Sequence, residues 1–154
     1  MVDTLSITLA QLNQSVGDIA GNSQAMLAAR ERARAQGADL VVFPEMQLVG
    51  YPAEDLVLKP AFVARAAQEL EAMAKATGDG GPAMLVGSIF VQDGALHNGV
   101  ALLDGGKIAA IRLKHELPNY GTFDEVRLFQ PGPLPEPIVF KGVMIGLPIC
   151  EDVW

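Results

Sequence analysis

Leu40-Val41-Val42-Phe43-Pro44-Glu45 is the stretch on which the architecture turns. Four consecutive apolar residues predict a strand covered on both faces. Pro44 ends it, because proline has no N–H to give to a ladder. Glu45 therefore falls at the carboxyl end of a buried strand, where α/β folds collect their functional groups. Upstream, residues 5–12 alternate Leu5, Ile7 and Leu9 with smaller or polar side chains, the period of a strand. Residues 13–21 are polar and contain the turn signal Gly17-Asp18. Residues 22–36 read as a helix, with Met26, Ala29 and Ala33 on one face, Arg30 and Arg34 on another, and Gly37 as its left-handed cap. The beginning of the chain is thus predicted to be strand, helix, strand.

Downstream, residues 46–59 form a loop, and Pro60 opens a second helix along Phe62, Ala66, Leu70 and Met73. Residues 78–82 end that helix. A third strand is expected over 84–91, a tight turn at Gln92-Asp93-Gly94, a returning strand over 97–103, a turn at Asp104-Gly105-Gly106 and a strand over 107–113. From 114 to 137 the regular pattern lapses. Pro131, Pro133, Pro135 and Pro137 favour extended, irregular backbone, and so long a loop in a compact domain is usually functional or disordered. Strands return at 138–140 and 143–149, joined by Lys141-Gly142. No internal repeat or domain boundary interrupts the 154 residues.

Composition narrows the function. Eighteen acidic against eleven basic residues give a net charge of −7, which works against nucleic acid or anionic membrane as a partner. No run of about 18 apolar residues exists to cross a bilayer. Met1-Val2-Asp3-Thr4 lacks the start of a signal peptide, and a single cysteine cannot form an internal disulfide, so a cytoplasmic setting is expected. One Cys and two His leave no cluster with zinc-ligand spacing, and no metal site is expected. Neither a Gly-x-Gly-x-x-Gly after a strand nor a phosphate-binding loop is present.

Three residue types at separate places could carry chemistry. Cys150 follows the apolar run at 143–149 and precedes Glu151 and Asp152. A lone cysteine reads equally well as a small buried hydrophobe or as a nucleophile at a strand end. Two carboxylates alone would raise its pKa, so the nucleophile reading needs a base or cation from elsewhere. Glu45 is the candidate base, against the alternative of a solvated loop carboxylate. Lys114 is the candidate cation for a developing oxyanion, against a strand-end lysine facing water. His115, and less so His97, could instead pair with the cysteine.

Together these stretches resemble the nitrilase, or carbon–nitrogen hydrolase, superfamily, whose catalytic set is Glu, Lys and Cys in that chain order. The matching segments are Val42-Phe43-Pro44-Glu45, Lys114-His115-Glu116-Leu117-Pro118-Asn119-Tyr120 and Ile149-Cys150-Glu151-Asp152-Val153-Trp154, and the resemblance runs from Ile7 onward. The closer resemblance is to the glutaminase domains of glutamine-dependent NAD synthetases. It rests on Gly50-Tyr51-Pro52-Ala53-Glu54-Asp55-Leu56, on residues 117–125 and on Cys150-Glu151-Asp152-Val153-Trp154.

The resemblance implies an α/β fold, an α-β-β-α sandwich of two sheets with helices outside, of which residues 1–154 are the N-terminal portion. It implies Cys150 as nucleophile, Glu45 as base and Lys114 as oxyanion stabiliser, with Glu125 beside Lys114 and the amide nitrogen of the substrate and Tyr120 lining a glutamine pocket. It implies that released ammonia reaches a separate synthetase domain, where ATP and Mg2+ serve the conversion of nicotinic acid adenine dinucleotide to NAD. No cofactor is expected in this segment, a homo-oligomer is expected, and the segment alone is expected to be inactive. Two other readings share the residues: a stand-alone nitrilase-type amidase for another small amide, and a non-catalytic amidase-like module kept for assembly.

Overall fold

A computed structural model describes residues 4–154, and its main sheet holds the Leu40–Val42 run as an interior strand. Strand β2 (Leu40–Val42) lies between β1 (Ile7–Leu9) and β3 (Ala83–Gln92), parallel to both. Strands β4 (Ala95–Asp104) and β5 (Lys107–Leu113) follow as an antiparallel meander, so the five strands stand in chain order across one sheet. The expected turns are present: Asp93 and Gly94 have φ of 52° and 79°, and Gly105 and Gly106 have φ of 58° and 83°. Two consecutive positive φ values suit the twist of a two-residue hairpin.

Helices α1 (Ile19–Ala35) and α2 (Pro60–Ala76) pack side by side on one face of the sheet. Helix α1 starts three residues before the expected position because Asp18 caps it, its carboxylate accepting the Gly21 N–H at 2.9 Å. Gly37 takes the left-handed conformation just past its end, with φ of 75°. Met26, Ala29 and Ala33 enter the core with Ala66, Leu70 and Met73 of α2 and Val41, Met84 and Val86 of the sheet. Among the described residues, no helix is long and apolar enough to cross a membrane.

The helical pattern placed Arg30 away from the apolar face, and here the structure corrects it. Arg30 is 2% exposed. Its Nε donates to the Pro82 carbonyl at 2.7 Å, and its terminal nitrogens meet the Asp79 carboxylate at 3.1 and 2.7 Å. Asp79 also meets Arg34 and accepts the Gly81 N–H at 2.9 Å. The hydrogen bond from Arg30, followed by that from the Gly81 N–H, holds the Asp79 carboxyl well below the usual carboxylate range. The partner lies 49 residues away in sequence, so no local pattern could announce the pair.

The opposite face of the sheet carries a two-stranded ribbon, β6 (Ile138–Phe140) paired antiparallel with β7 (Val143–Ile145). Ile138 and Phe140 pack on Leu40, Ala83, Leu85 and Leu102, the residues that alternate with those facing the helices. β2 is therefore covered on both faces, as its continuous apolar run requires. Helices, sheet and ribbon make an α/β fold of three layers. The expected strand over 143–149 stops at Ile145, and residues 146–149 continue without ladder bonds. The irregular 114–137 segment contains one short helix, α3 (Glu125–Leu128). It is tied down at its ends, with Gly132 N–H bonding the Lys114 carbonyl at 2.7 Å and Gln130 N–H the Leu96 carbonyl at 2.8 Å.

Candidate active site

Glu45 owes its position to a close backbone approach. The 44–46 turn rests directly on β3 at Gly87, where an added Cβ would lie 2.5 Å from Met46 N and 2.7 Å from Pro44 O. Only glycine permits that contact. The Leu48 N–H then bonds the Gly87 carbonyl at 3.2 Å, fixing the turn beyond the end of β2.

Lys114 follows the last residue of β5, with its N–H extending the ladder to the Asn98 carbonyl at 2.9 Å. It does not face water, being 1% exposed. Its Nζ lies 2.7 Å from Glu45 Oε1 and 3.0 Å from each oxygen of Glu125. Burial alone would lower the lysine pKa, but the hydrogen bonds and charges of Glu45 and then Glu125 outweigh it and hold the value above the ordinary one. Lys114 is thus a permanent cation facing two carboxylates.

Two neutral donors compensate the extra negative charge. Tyr51 donates its hydroxyl to Glu125 Oε1 at 2.9 Å, and Asn98 Nδ2 donates to Glu45 Oε1 at 2.7 Å. Burial first, and then the Glu125 charge, push the Tyr51 pKa far above its ordinary value, so it remains a donor. Neither residue announces a role in the sequence. Tyr51 lies inside the Gly50–Leu56 motif, and Asn98 is only a polar residue within the strand expected over 97–103.

Cys150 does not end a strand. It opens a 3-10 turn, Cys150–Val153, with φ of 48°, a left-handed conformation unfavourable for a residue bearing a Cβ. Such strain persists where the surroundings enforce it, and it aims a side chain out of the chain's path. The enforcing residue is Asp152. Its Oδ2 accepts the Ile149 N–H at 3.0 Å, while Oδ1 accepts the N–H groups of His115 at 3.0 Å and Glu116 at 2.7 Å. One carboxylate thereby fastens the cysteine turn to the two residues that follow Lys114.

The cysteine and Glu45 line the same pocket, about 150 Å³ in volume, between the sheet and residues 147–149. That is smaller than the roughly 300–1,000 Å³ of drug-sized sites and suits a side-chain amide. Desolvation against the pocket wall raises the Cys150 pKa first, the Glu45 charge raises it next, and Lys114 opposes them. At neutral pH the sulfur is a thiol in need of a base. Iodoacetamide alkylation is therefore expected to rise with pH through a midpoint above that of an unperturbed thiol. Glu45→Gln, which deletes a charge that disfavours the thiolate, is expected to move that midpoint downward. A wild-type midpoint at neutral pH, or an upward shift in the variant, would contradict this electrostatic account.

The remaining candidates separate clearly. Glu125 is 3% exposed and bound to Lys114. Tyr120 is 59% exposed, packs edge-on against Phe123 and donates to Glu151 Oε2 at 2.9 Å, beside the cysteine turn but outside the Glu45–Cys150 pocket. His115 Nδ1 meets the Gly132 carbonyl and His97 Nδ1 the Gln130 carbonyl, each at 2.8 Å. Neither ring is bonded to the thiol; both brace the 130–132 segment. Glu45 and Glu125 already surround an ammonium, which occupies the place where a divalent cation would have to sit.

The Carbon-nitrogen hydrolase family pattern matches residues 6–154, and the chain belongs to that family. It is 46% identical over 154 residues to a glutamine-dependent NAD(+) synthetase of Rhodobacter capsulatus, a match that covers 100% of this chain and 28% of that protein. Among solved structures, glutamine-dependent NAD+ synthetase from Acinetobacter baumannii, in complex with ADP, superposes with a TM-score of 0.90 at 37% identity, covering 97% of this chain and 28% of that one. An amidase mutant from Nesterenkonia sp. AN1, with the acetamide moiety of fluoroacetamide covalently added at its active-site cysteine, gives a TM-score of 0.80 at 26% identity, covering 97% of this chain and 56% of that one.

Proposed function

We propose that this chain carries the nucleophile, base and oxyanion cation of a glutamine amidohydrolase, as the N-terminal portion of a glutamine-dependent NAD synthetase. The observation that carries the reading is the buried Lys114 ammonium, bonded to Glu45, with Glu45 and Cys150 on the wall of one small pocket. The NAD synthetase relatives support glutamine as the substrate. The modified cysteine of the Nesterenkonia amidase supports covalent catalysis at Cys150.

In this mechanism Glu45 takes the thiol proton as Sγ attacks the side-chain amide carbon of glutamine. The negative charge that develops on the amide oxygen is met by Lys114 and by the N–H of Glu151, the second residue of the 3-10 turn, which has no partner inside that turn. Glu45 returns its proton to the nitrogen, the C–N bond breaks and ammonia leaves a γ-glutamyl thioester. Glu45 then takes a proton from water, and the resulting hydroxide attacks the thioester carbon. The C–S bond breaks, glutamate departs and the proton returns to sulfur. ATP and Mg2+ belong to the second half-reaction, in which ammonia and nicotinic acid adenine dinucleotide give NAD. That step is assigned to sequence outside these residues.

We also infer that residues 1–154 do not turn over glutamine alone. The Nesterenkonia amidase is nearly twice as long, and here Val153, the last residue of the cysteine turn, and Trp154 after it are 61% and 94% exposed. The test compares this chain with a chimera in which it replaces the matching stretch of the Rhodobacter capsulatus synthetase. The chimera is expected to release ammonia from glutamine, and the isolated chain to release none above background. A chimera active on other small amides but not on glutamine would favour the stand-alone amidase reading. One inactive on all of them would favour the assembly module.

A further inference from the structure

Strand β4 places one side-chain amide between the two carboxylates that hold Lys114. Asn98 is fully buried, with Nδ2 2.7 Å from Glu45 Oε1 and 3.4 Å from Glu125 Oε2. Two carboxylate oxygens on one side require the NH2 end of the amide to face them. The Oδ1 end is then left buried without a partner among the described residues. A strand interior tolerates an unmatched polar atom only at a cost in stability, so the donor end of this residue has a purpose of its own.

The two glutamates hold the same ammonium differently. Glu125 is symmetric, with both oxygens 3.0 Å from Nζ. Glu45 uses one oxygen only, and that Oε1 receives Lys114 and Asn98 at 2.7 Å each. Two strong donors occupy both lone pairs of Oε1 and fix rotation of the carboxylate plane. Oε2 has no hydrogen-bond donor among the described residues, and Glu45 keeps 18% side-chain exposure on the wall of the pocket it shares with Cys150.

We propose that Asn98 is a positioning residue for the base: by pinning Glu45 Oε1 it keeps Oε2 as the oxygen that exchanges protons with the thiol and with water. This rests on the reading of Glu45 as the base. Without the amide, Glu45 would rotate to grip Lys114 with both oxygens, as Glu125 does, and Oε2 would leave the pocket.

The test uses the full-length polypeptide and glutamine. Asn98→Leu, close in volume but without a donor, is expected to lower kcat by about 30- to 100-fold while KM changes less than about threefold. Cys150 alkylation by iodoacetamide at a pH above the thiol midpoint, where no base is needed, is expected to stay within about twofold of wild type. Asn98→Ser, which restores a small donor, is expected to recover about tenfold in kcat and also covers the case in which the leucine variant fails to fold. A wild-type kcat in Asn98→Leu would overturn the proposal. So would parallel losses of kcat and alkylation with no recovery in Asn98→Ser, because that pattern marks a purely structural role. Retained turnover in Glu45→Gln is a different result, and it would remove the base assignment itself.

Discussion

Cys150→Ala in the full-length polypeptide is expected to reduce ammonia release from glutamine by at least about 10³-fold, leaving the fold intact. The expectation follows from the turn that carries the residue. Cys150 is exposed and held at φ of 48° by a loop whose anchor, Asp152, spans three backbone N–H groups. Alanine keeps the backbone and the pocket but removes the only thiol in the chain. Because alanine adopts that φ no more easily than cysteine, the melting temperature should hardly move. Glutamine binding should survive, so the loss falls on kcat. Ammonia release within about tenfold of wild type would show that another group attacks the amide.

Lys114→Met has the second large effect, on stability and turnover together. It leaves Glu45 and Glu125 facing each other in a buried site with only the Tyr51 hydroxyl and the Asn98 amide as donors. Removing one partner of a buried ion pair costs about 3–5 kcal/mol. For a chain of this size that corresponds to a fall of about 10 °C in melting temperature. In the full-length polypeptide, loss of the proposed oxyanion cation is expected to lower kcat by about 10²- to 10³-fold as well. Lys114→Met with Glu125→Gln separates the two consequences. Deleting one carboxylate should return much of the melting temperature and none of the turnover. Recovery of both together would mean that Lys114 serves only to hold the fold.

Much of this site was legible because its parts sit at punctuation in the chain. Pro44 stops a buried strand and exposes Glu45 at its end. The Asp93-Gly94 and Gly105-Gly106 turns set the meander that brings Lys114 back beside that end. What was not legible depends on partners far apart in sequence. Arg30 occupies a polar position in a helical pattern and becomes a core residue only because Asp79 and Pro82 come to meet it. Asn98 reads as a weak spot in an apolar strand until Glu45, 53 residues away, is placed against it. The apolar run 143–149 predicts that Cys150 ends a strand. Ladder bonds end at Ile145, and the remaining apolar residues, Leu147 and Ile149 among them, line the pocket instead.

The central claim, a glutamyl thioester on Cys150, is tested most directly by acid-quenching the full-length polypeptide during steady turnover of glutamine and measuring the mass of the cysteine-bearing peptide. A glutamyl adduct on Cys150 is expected, one that hydroxylamine removes and that Cys150→Ala lacks. Free Cys150 thiol throughout turnover, with the adduct on another residue, would contradict it.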